Sequence, residues 1–149
     1  MLVVWIVLGI VLVMMLLYLG MIKPAGTKRP DKAPFLGVLY AHRGLHDNET
    51  DAPENSMAAF RKAVEAGFGM ELDIQLSKDK VPVVFHDFTL KRVCGVEGKI
   101  RDYTLQELKE FRLYGTKEQI PTLAQVLELV DGKVPLIVEF KGENTDISL

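Results

Sequence analysis

The chain has 149 residues, a net charge of −2 at neutral pH and a single cysteine. That length leaves room for one soluble domain. The near-neutral balance, with no basic stripe, gives no electrostatic footprint for nucleic acid. The lone Cys94 excludes an internal disulfide framework and fits a reducing compartment.

The first predicted element is an uncharged helix from Leu2 to Ile22. At about 1.5 Å per residue it spans roughly 30 Å, the thickness of a bilayer's hydrocarbon core. Trp5 and Tyr18 stand near its two ends, where amphipathic rings favour the interfaces. A cleaved signal peptide would carry basic residues before the run and small residues after it. Here nothing basic precedes it beyond the amino terminus, and Met21-Ile22-Lys23-Pro24 makes a poor cleavage site. A buried core helix seldom holds so long an uncharged run, so residues 1–22 read as a retained single-pass transmembrane helix. Lys23, Lys28, Arg29 and Lys32 all follow it, which places the soluble domain in the cytoplasm. Residues 23–34, rich in proline and basic side chains, read as a juxtamembrane linker, and the domain proper fills residues 35–149.

Within that domain strand and helix signals alternate, the βα pattern of a parallel sheet. A first strand is expected over residues 37–41. The next helix starts near Asn55-Ser56, both good N-caps, carries Met57, Phe60, Ala63 and Val64 on its apolar stripe and closes at Gly67. A second strand is expected over residues 69–76 and a third over residues 81–86. Thr104 with Glu107 forms a capping box for a helix reaching about Tyr114, with Leu105, Leu108 and Phe111 inward. Thr122 with Gln125 repeats the device for a helix carrying Leu123, Val126, Leu127 and Val130, ended by Asp131-Gly132. A fourth strand covers residues 134–140.

Each strand ends in charged or imidazole side chains: His42-Arg43, Glu71-Leu72-Asp73, His86-Asp87 and Glu139-Phe140-Lys141. Apolar strand bodies with polar C-terminal ends are how a parallel α/β sheet or barrel builds an active site. The second strand is the sharpest case. Its period of two puts Glu71, Asp73 and Gln75 on one face and Leu72, Ile74 and Leu76 on the other. An edge strand facing water would read the same way; inside a parallel fold, two inward acids call for a bound cation to compensate their desolvation. Alone, Glu139 and Lys141 read as a solvated pair and each histidine as an ordinary loop residue. Their convergence on one sheet end changes that reading, and the collected groups suit metal-assisted chemistry on a phosphate.

Further short motifs accompany these in order: Pro53-Glu54-Asn55-Ser56, Ser77-Lys78-Asp79, Thr89-Leu90-x-Arg92, Gly98-Lys99-Ile100, Leu105-x-x-Leu108 and Ile120-Pro121-Thr122-Leu123. Together with His42-Arg43-Gly44, Glu71-Leu72-Asp73, Val84-Phe85-His86-Asp87 and Val138-Glu139-Phe140-Lys141 they resemble the glycerophosphodiester phosphodiesterases from about Leu39 to Lys141. The resemblance implies a TIM-type (β/α)8 barrel that splits glycerophosphodiesters, such as glycerophosphocholine, into sn-glycerol 3-phosphate and an alcohol. It implies that Glu71, Asp73 and Glu139 bind a divalent cation, Mg²⁺ or Ca²⁺. It gives His42 and His86 the acid and base roles without saying which takes which, and Arg43 and Lys141 the phosphate. Glu54 and Asn55 are either supports at the pocket rim or simply a helix start capped by Asn55. Asp87 is expected to orient His86 or bond the backbone, and Cys94 to be a spectator. Two other readings share the motifs: a non-catalytic, membrane-tethered half-barrel that binds lipid headgroups or a protein, and a lysophospholipase D-like enzyme acting on lysophospholipids.

Only about 115 residues follow the linker, against about 250 for a whole barrel. The expectation is therefore the first half of the barrel, about four βα units, with residues 142–149 as the loop after the fourth strand. Two open edges and an apolar interior would then favour self-association, pairing with a separate second half, or a poorly folded truncated product.

Overall fold

A computed structural model describes residues 1–23 and 31–142. The expected linker lies largely outside the described residues, as do Lys28, Arg29 and residues 143–149 of the expected closing loop. The chain divides into two compact units, Met1–Pro34 and Phe35–Leu149. In the first, α1 (Leu2–Ile22) is one uninterrupted helix with no buried residue, long and apolar enough to cross a membrane.

In the second unit a four-stranded sheet is built around β2 (Gly69–Leu76). β1 (Tyr40–His42) pairs with it in parallel, setting His42 opposite Glu71. β4 (Leu136–Phe140) also pairs in parallel, setting Asp73 opposite Glu139. The first and fourth strands thus begin two or three residues later than expected, and the second matches its expected span. The third strand differs in kind: β3 (Pro82–Val84) runs antiparallel to β2. A parallel pair needs a crossover of a dozen or more residues, whereas only a tight turn separates β2 from β3. There Ser77 N–H donates to the Val81 carbonyl at 3.0 Å, Lys80 N–H donates to the Ser77 carbonyl at 2.9 Å, and Lys80 sits at φ 64°.

Helix α2 (Met57–Glu65) is capped by Ser56, whose hydroxyl accepts the Ala59 N–H at 3.0 Å. Asn55 does not cap it; it takes a left-handed turn at φ 55° that aims its amide toward Asp73 instead. With α5 (Leu123–Val130), whose Thr122/Gln125 capping box forms as expected, α2 covers the apolar side of the sheet. Phe60, Met70, Leu72, Ile74, Val126 and Val130 form this core. Burying a side chain such as Phe60 contributes roughly 2–3 kcal/mol.

A second apolar cluster lies under the long connection from β3, around Phe85, Leu90, Ile100, Leu108 and Leu113. It includes a short helix that the sequence pattern did not suggest, α3 (Lys91–Cys94), closed by left-handed Gly95. Burial there pushes the Cys94 thiol up to about 11, which suits a spectator. Helix α4 (Leu105–Leu108) keeps the Thr104/Glu107 box but is much shorter than expected. Phe111 leaves the helical path to pack edge-on against Tyr103, ring centroids 5.0 Å apart. Tyr114 then adopts φ 49°, which carries its hydroxyl to Glu54.

Candidate functional site

The C-terminal ends of β1 and β4, the middle of β2 and the residues after β3 supply the polar groups. At the end of β1, Arg43 occupies the left-handed region at φ 58°, a conformation costing of order 1–3 kcal/mol for a residue with a side chain. Its backbone is clamped from both sides: Arg43 N–H donates to the Glu71 carbonyl, and its own carbonyl accepts the Asn55 N–H, both at 2.9 Å. Gly44 follows at φ 85°, where an added Cβ would lie 3.0 Å from Ala59 and Phe60. The chain therefore turns hard against α2, and the Arg43 side chain is held among carboxylates.

Three of these, Glu71, Asp73 and Glu139, can each offer an oxygen such that all lie within 4.8 Å of one another. Asp73 is 1% exposed. Around it stand Lys141 Nζ at 3.2 Å, Arg43 Nε at 3.6 Å and Asn55 Nδ2 at 3.5 Å. Lys141 also donates to Glu139 Oε1 at 2.6 Å, which holds that carboxyl below its usual range. Burial, reinforced by the nearby Asp73 charge, pushes the Glu71 carboxyl up. Buried Glu71 Oε2 and Arg43 Nε both lack a hydrogen-bond partner. A buried oxygen and a buried N–H left open in one cluster mark a place shaped for something else.

The histidines approach this cluster differently. His42 is 67% exposed, its Nε2 standing 3.7 Å from Glu71 Oε2, beyond hydrogen-bond length. His86 is fixed from several directions. Phe85 N–H donates to the Asp73 carbonyl at 2.9 Å, and the Gln75 amide donates to the carbonyls of Phe85 and Asp87 at 3.0 and 2.8 Å. Its Nδ1 lies 2.8 Å from Asp87 Oδ1, the orienting contact expected of Asp87.

All nine expected site residues therefore fall in one region. Sequence reasoning assigned no role to two further members, Arg92 and Tyr114. Arg92 grips Asp87 and Glu54, and Tyr114 donates to Glu54 Oε1 at 2.5 Å. Burial alone would raise the Glu54 carboxyl, but hydrogen bonds from Tyr114, Arg43 and Arg92 outweigh it and hold it low. The Thr89-Leu90-x-Arg92 motif was a signal for Arg92; no local pattern marked Tyr114, which arrives through an irregular turn.

The Arg92 fork lowers the Asp87 carboxyl from 3.8 to about 2. A carboxyl whose folded value is depressed stabilises fully above the unfolded value and loses that contribution as pH falls through the folded one. The pair should therefore stabilise the fold above about pH 4 and fail between pH 4 and 2, by at most about 2.5 kcal/mol before solvent screening is discounted. In an acid titration followed by circular dichroism, Asp87→Asn should flatten the pH dependence in that window. An unchanged slope would show that Asp87 contributes none of it.

Residues 42–149 match the glycerophosphoryl diester phosphodiesterase family. The chain is 43% identical over 113 residues to a glycerophosphodiester phosphodiesterase of Caldanaerobacter subterraneus subsp. tengcongensis, covering 70% of this chain and 45% of the relative. A glycerophosphoryl diester phosphodiesterase from Parabacteroides distasonis superposes with a TM-score of 0.65 at 37% identity, over 73% of this chain and 40% of its own. An Oleispira antarctica phosphodiesterase, solved in complex with the product sn-glycerol-3-phosphate, superposes with a TM-score of 0.63 at 36% identity, over 72% and 45%. The chain spans about half the length of the curated bacterial relatives it matches. The expected TIM-type α/β fold is borne out over about 70% of the chain.

Proposed function

The chain belongs to the glycerophosphoryl diester phosphodiesterase family, and on that premise we propose that it hydrolyses a glycerophosphodiester to sn-glycerol 3-phosphate and an alcohol. The observation that carries this reading is the triad of carboxylates within 4.8 Å, flanked by Arg43 and Lys141. Glu71, Asp73 and Glu139 would hold a divalent cation, and the donor set fits one: three hard oxygen ligands, one of them a buried oxygen without a partner. Such a donor set suits Mg²⁺ or Ca²⁺. When bound, the ion would lower the pKa of a glycerol hydroxyl and neutralise phosphate charge.

The chain's own residues divide the remaining work. Arg43 and Lys141 bind the phosphoryl oxygens and stabilise charge that builds there. One histidine takes the proton of the glycerol hydroxyl as its oxygen bonds to phosphorus. The other gives a proton to the alcohol oxygen as its bond to phosphorus breaks. The resulting cyclic phosphate opens by addition of water with the two roles reversed. Glu54 and Asn55 support this set, through Arg43 and through Asp73. Residues 1–22 would anchor the domain of residues 35–149 on the cytoplasmic face through the segment 23–34, keeping the site beside lipid-derived substrates, lysophospholipids included.

The test is turnover of glycerophosphocholine by the detergent-solubilised chain with Mg²⁺ or Ca²⁺, read as glycerol 3-phosphate, beside Glu71→Ala. Metal-dependent product that disappears in the variant is expected. The ions should also raise the unfolding temperature of the unaltered chain, and Glu71→Gln should remove most of that rise. An equal rise in both chains would take the cation away from Glu71.

A further inference from the structure

Arg92 stands outside the groups that would touch substrate, yet it holds two of them indirectly. Its Nε donates to Asp87 Oδ2 at 2.6 Å and its Nη2 to Asp87 Oδ1 at 2.8 Å, a two-pronged grip on one carboxylate. Asp87 Oδ1 is the oxygen that meets His86 Nδ1. Arg92 Nη1 reaches Glu54 Oε1 at 2.5 Å, and the other oxygen of Glu54, Oε2, accepts from Arg43 Nη1 at 2.6 Å. Tyr114 completes the arrangement: its hydroxyl donates to Glu54 Oε1, contacts Arg92 Nη1 and accepts from Asn48 Nδ2 at 3.3 Å. The guanidinium also lies 5.8 Å from the centre of the Tyr114 ring. Two carboxylates thus each bridge Arg92 to one member of the proposed machinery.

We infer that Arg92 is a positioning residue, which through Asp87 fixes the tautomer and orientation of His86 and through Glu54 fixes the Arg43 guanidinium. The inference rests on the reading of His86 and Arg43 given above. Asp87, ionised at neutral pH and fixed in place by the fork, is an acceptor only, so neutral His86 must carry its proton on Nδ1 and leave Nε2 bare. A lysine at position 92 would keep the charge but could not grip both Asp87 oxygens in one plane. An ordinary surface ion pair would tolerate that exchange. Arg92, 46% exposed, sits where many surface pairs sit; what sets it apart is that both its anions are partners of other functional groups.

Side-chain ¹⁵N NMR of the full chain in detergent micelles tests this, with the His86 signals assigned from a His86→Asn chain. The unaltered protein should show His86 as the Nδ1–H tautomer, and Arg92→Ala should give a tautomer mixture. Arg92→Lys, the variant least exposed to misfolding, should fall between them. In turnover, kcat should drop about 10–100-fold in Arg92→Ala, the scale seen when an outer partner of a metal-bound histidine is removed. Added guanidinium should restore part of it. In an Asp87→Asn background the same change at position 92 should lower kcat much less, because one relay has already been cut. An unaltered His86 tautomer in both variants overturns the inference. If the unaltered chain turns over no substrate, the functional reading fails, but the tautomer measurement still decides whether Arg92 positions His86.

Discussion

Replacing Asp73 by alanine should destabilise the domain by about 3 kcal/mol and remove cation-induced stabilisation altogether. The side chain is 1% exposed and lies 3.2 Å from Lys141 Nζ and 3.6 Å from Arg43 Nε. Two opposing terms change together when it is lost. Attraction to two cations disappears, and repulsion against Glu71, which burial and the Asp73 charge push toward protonation, is relieved. Unit charges about 4 Å apart interact with roughly 4 kcal/mol at an effective dielectric near 20. The two attractions, at 3.2 and 3.6 Å, therefore outweigh the repulsions from Glu71 and from Glu139, the latter screened because that side chain is exposed. Both cations keep a second carboxylate, Arg43 with Glu54 and Lys141 with Glu139, which places the loss at the low end of the range for a broken buried pair. Urea unfolding followed by circular dichroism, with Asp73→Asn as the near-isosteric control, measures it. A loss below about 1 kcal/mol would mean that Asp73 is held against its own cost and that relief of repulsion dominates.

Asp73 was legible in the sequence for a specific reason. In β2 the period of two separates Glu71, Asp73 and Gln75 from Leu72 and Ile74, and the structure buries Leu72 and Ile74 beneath α2 and α5 while gathering the acids on the other face. The capping boxes at Thr104 and Thr122 were equally readable, because a cap is a contact between residues three apart. What stayed hidden depended on direction and distance. The composition of β3 marks it as a strand, but its antiparallel course follows from the shortness of the turn at Ser77–Lys80. Asn55 and Ser56 are both good caps by type, and only the packing decides that Ser56 caps α2 while Asn55 turns to Asp73. Tyr114 reaches Glu54 across 60 residues of chain through a left-handed turn, which no local pattern announces.

The two histidines should separate in an experiment that the geometry already favours. Single alanine replacements of His42 and His86 should each lower turnover of glycerophosphocholine by about 10²–10⁴-fold, the usual contribution of a positioned proton-transfer group. Their environments then assign the roles. His86 donates Nδ1–H to a carboxylate that stays ionised down to about pH 2, which leaves Nε2 as the basic atom. That is how an oriented imidazole is prepared to accept a proton. His42 is 67% exposed beside Glu71, within reach of a departing alcohol. His86 is therefore expected to take the proton from the attacking hydroxyl and His42 to protonate the leaving oxygen. A substrate whose leaving group needs no proton, such as the p-nitrophenyl ester of glycerol phosphate, distinguishes the two. On that substrate His42→Ala should recover most of its loss, whereas His86→Ala should not, since the attack still requires a base. Recovery by His86→Ala alone would reverse the assignment. Full turnover of glycerophosphocholine by either variant would remove that histidine from the chemistry.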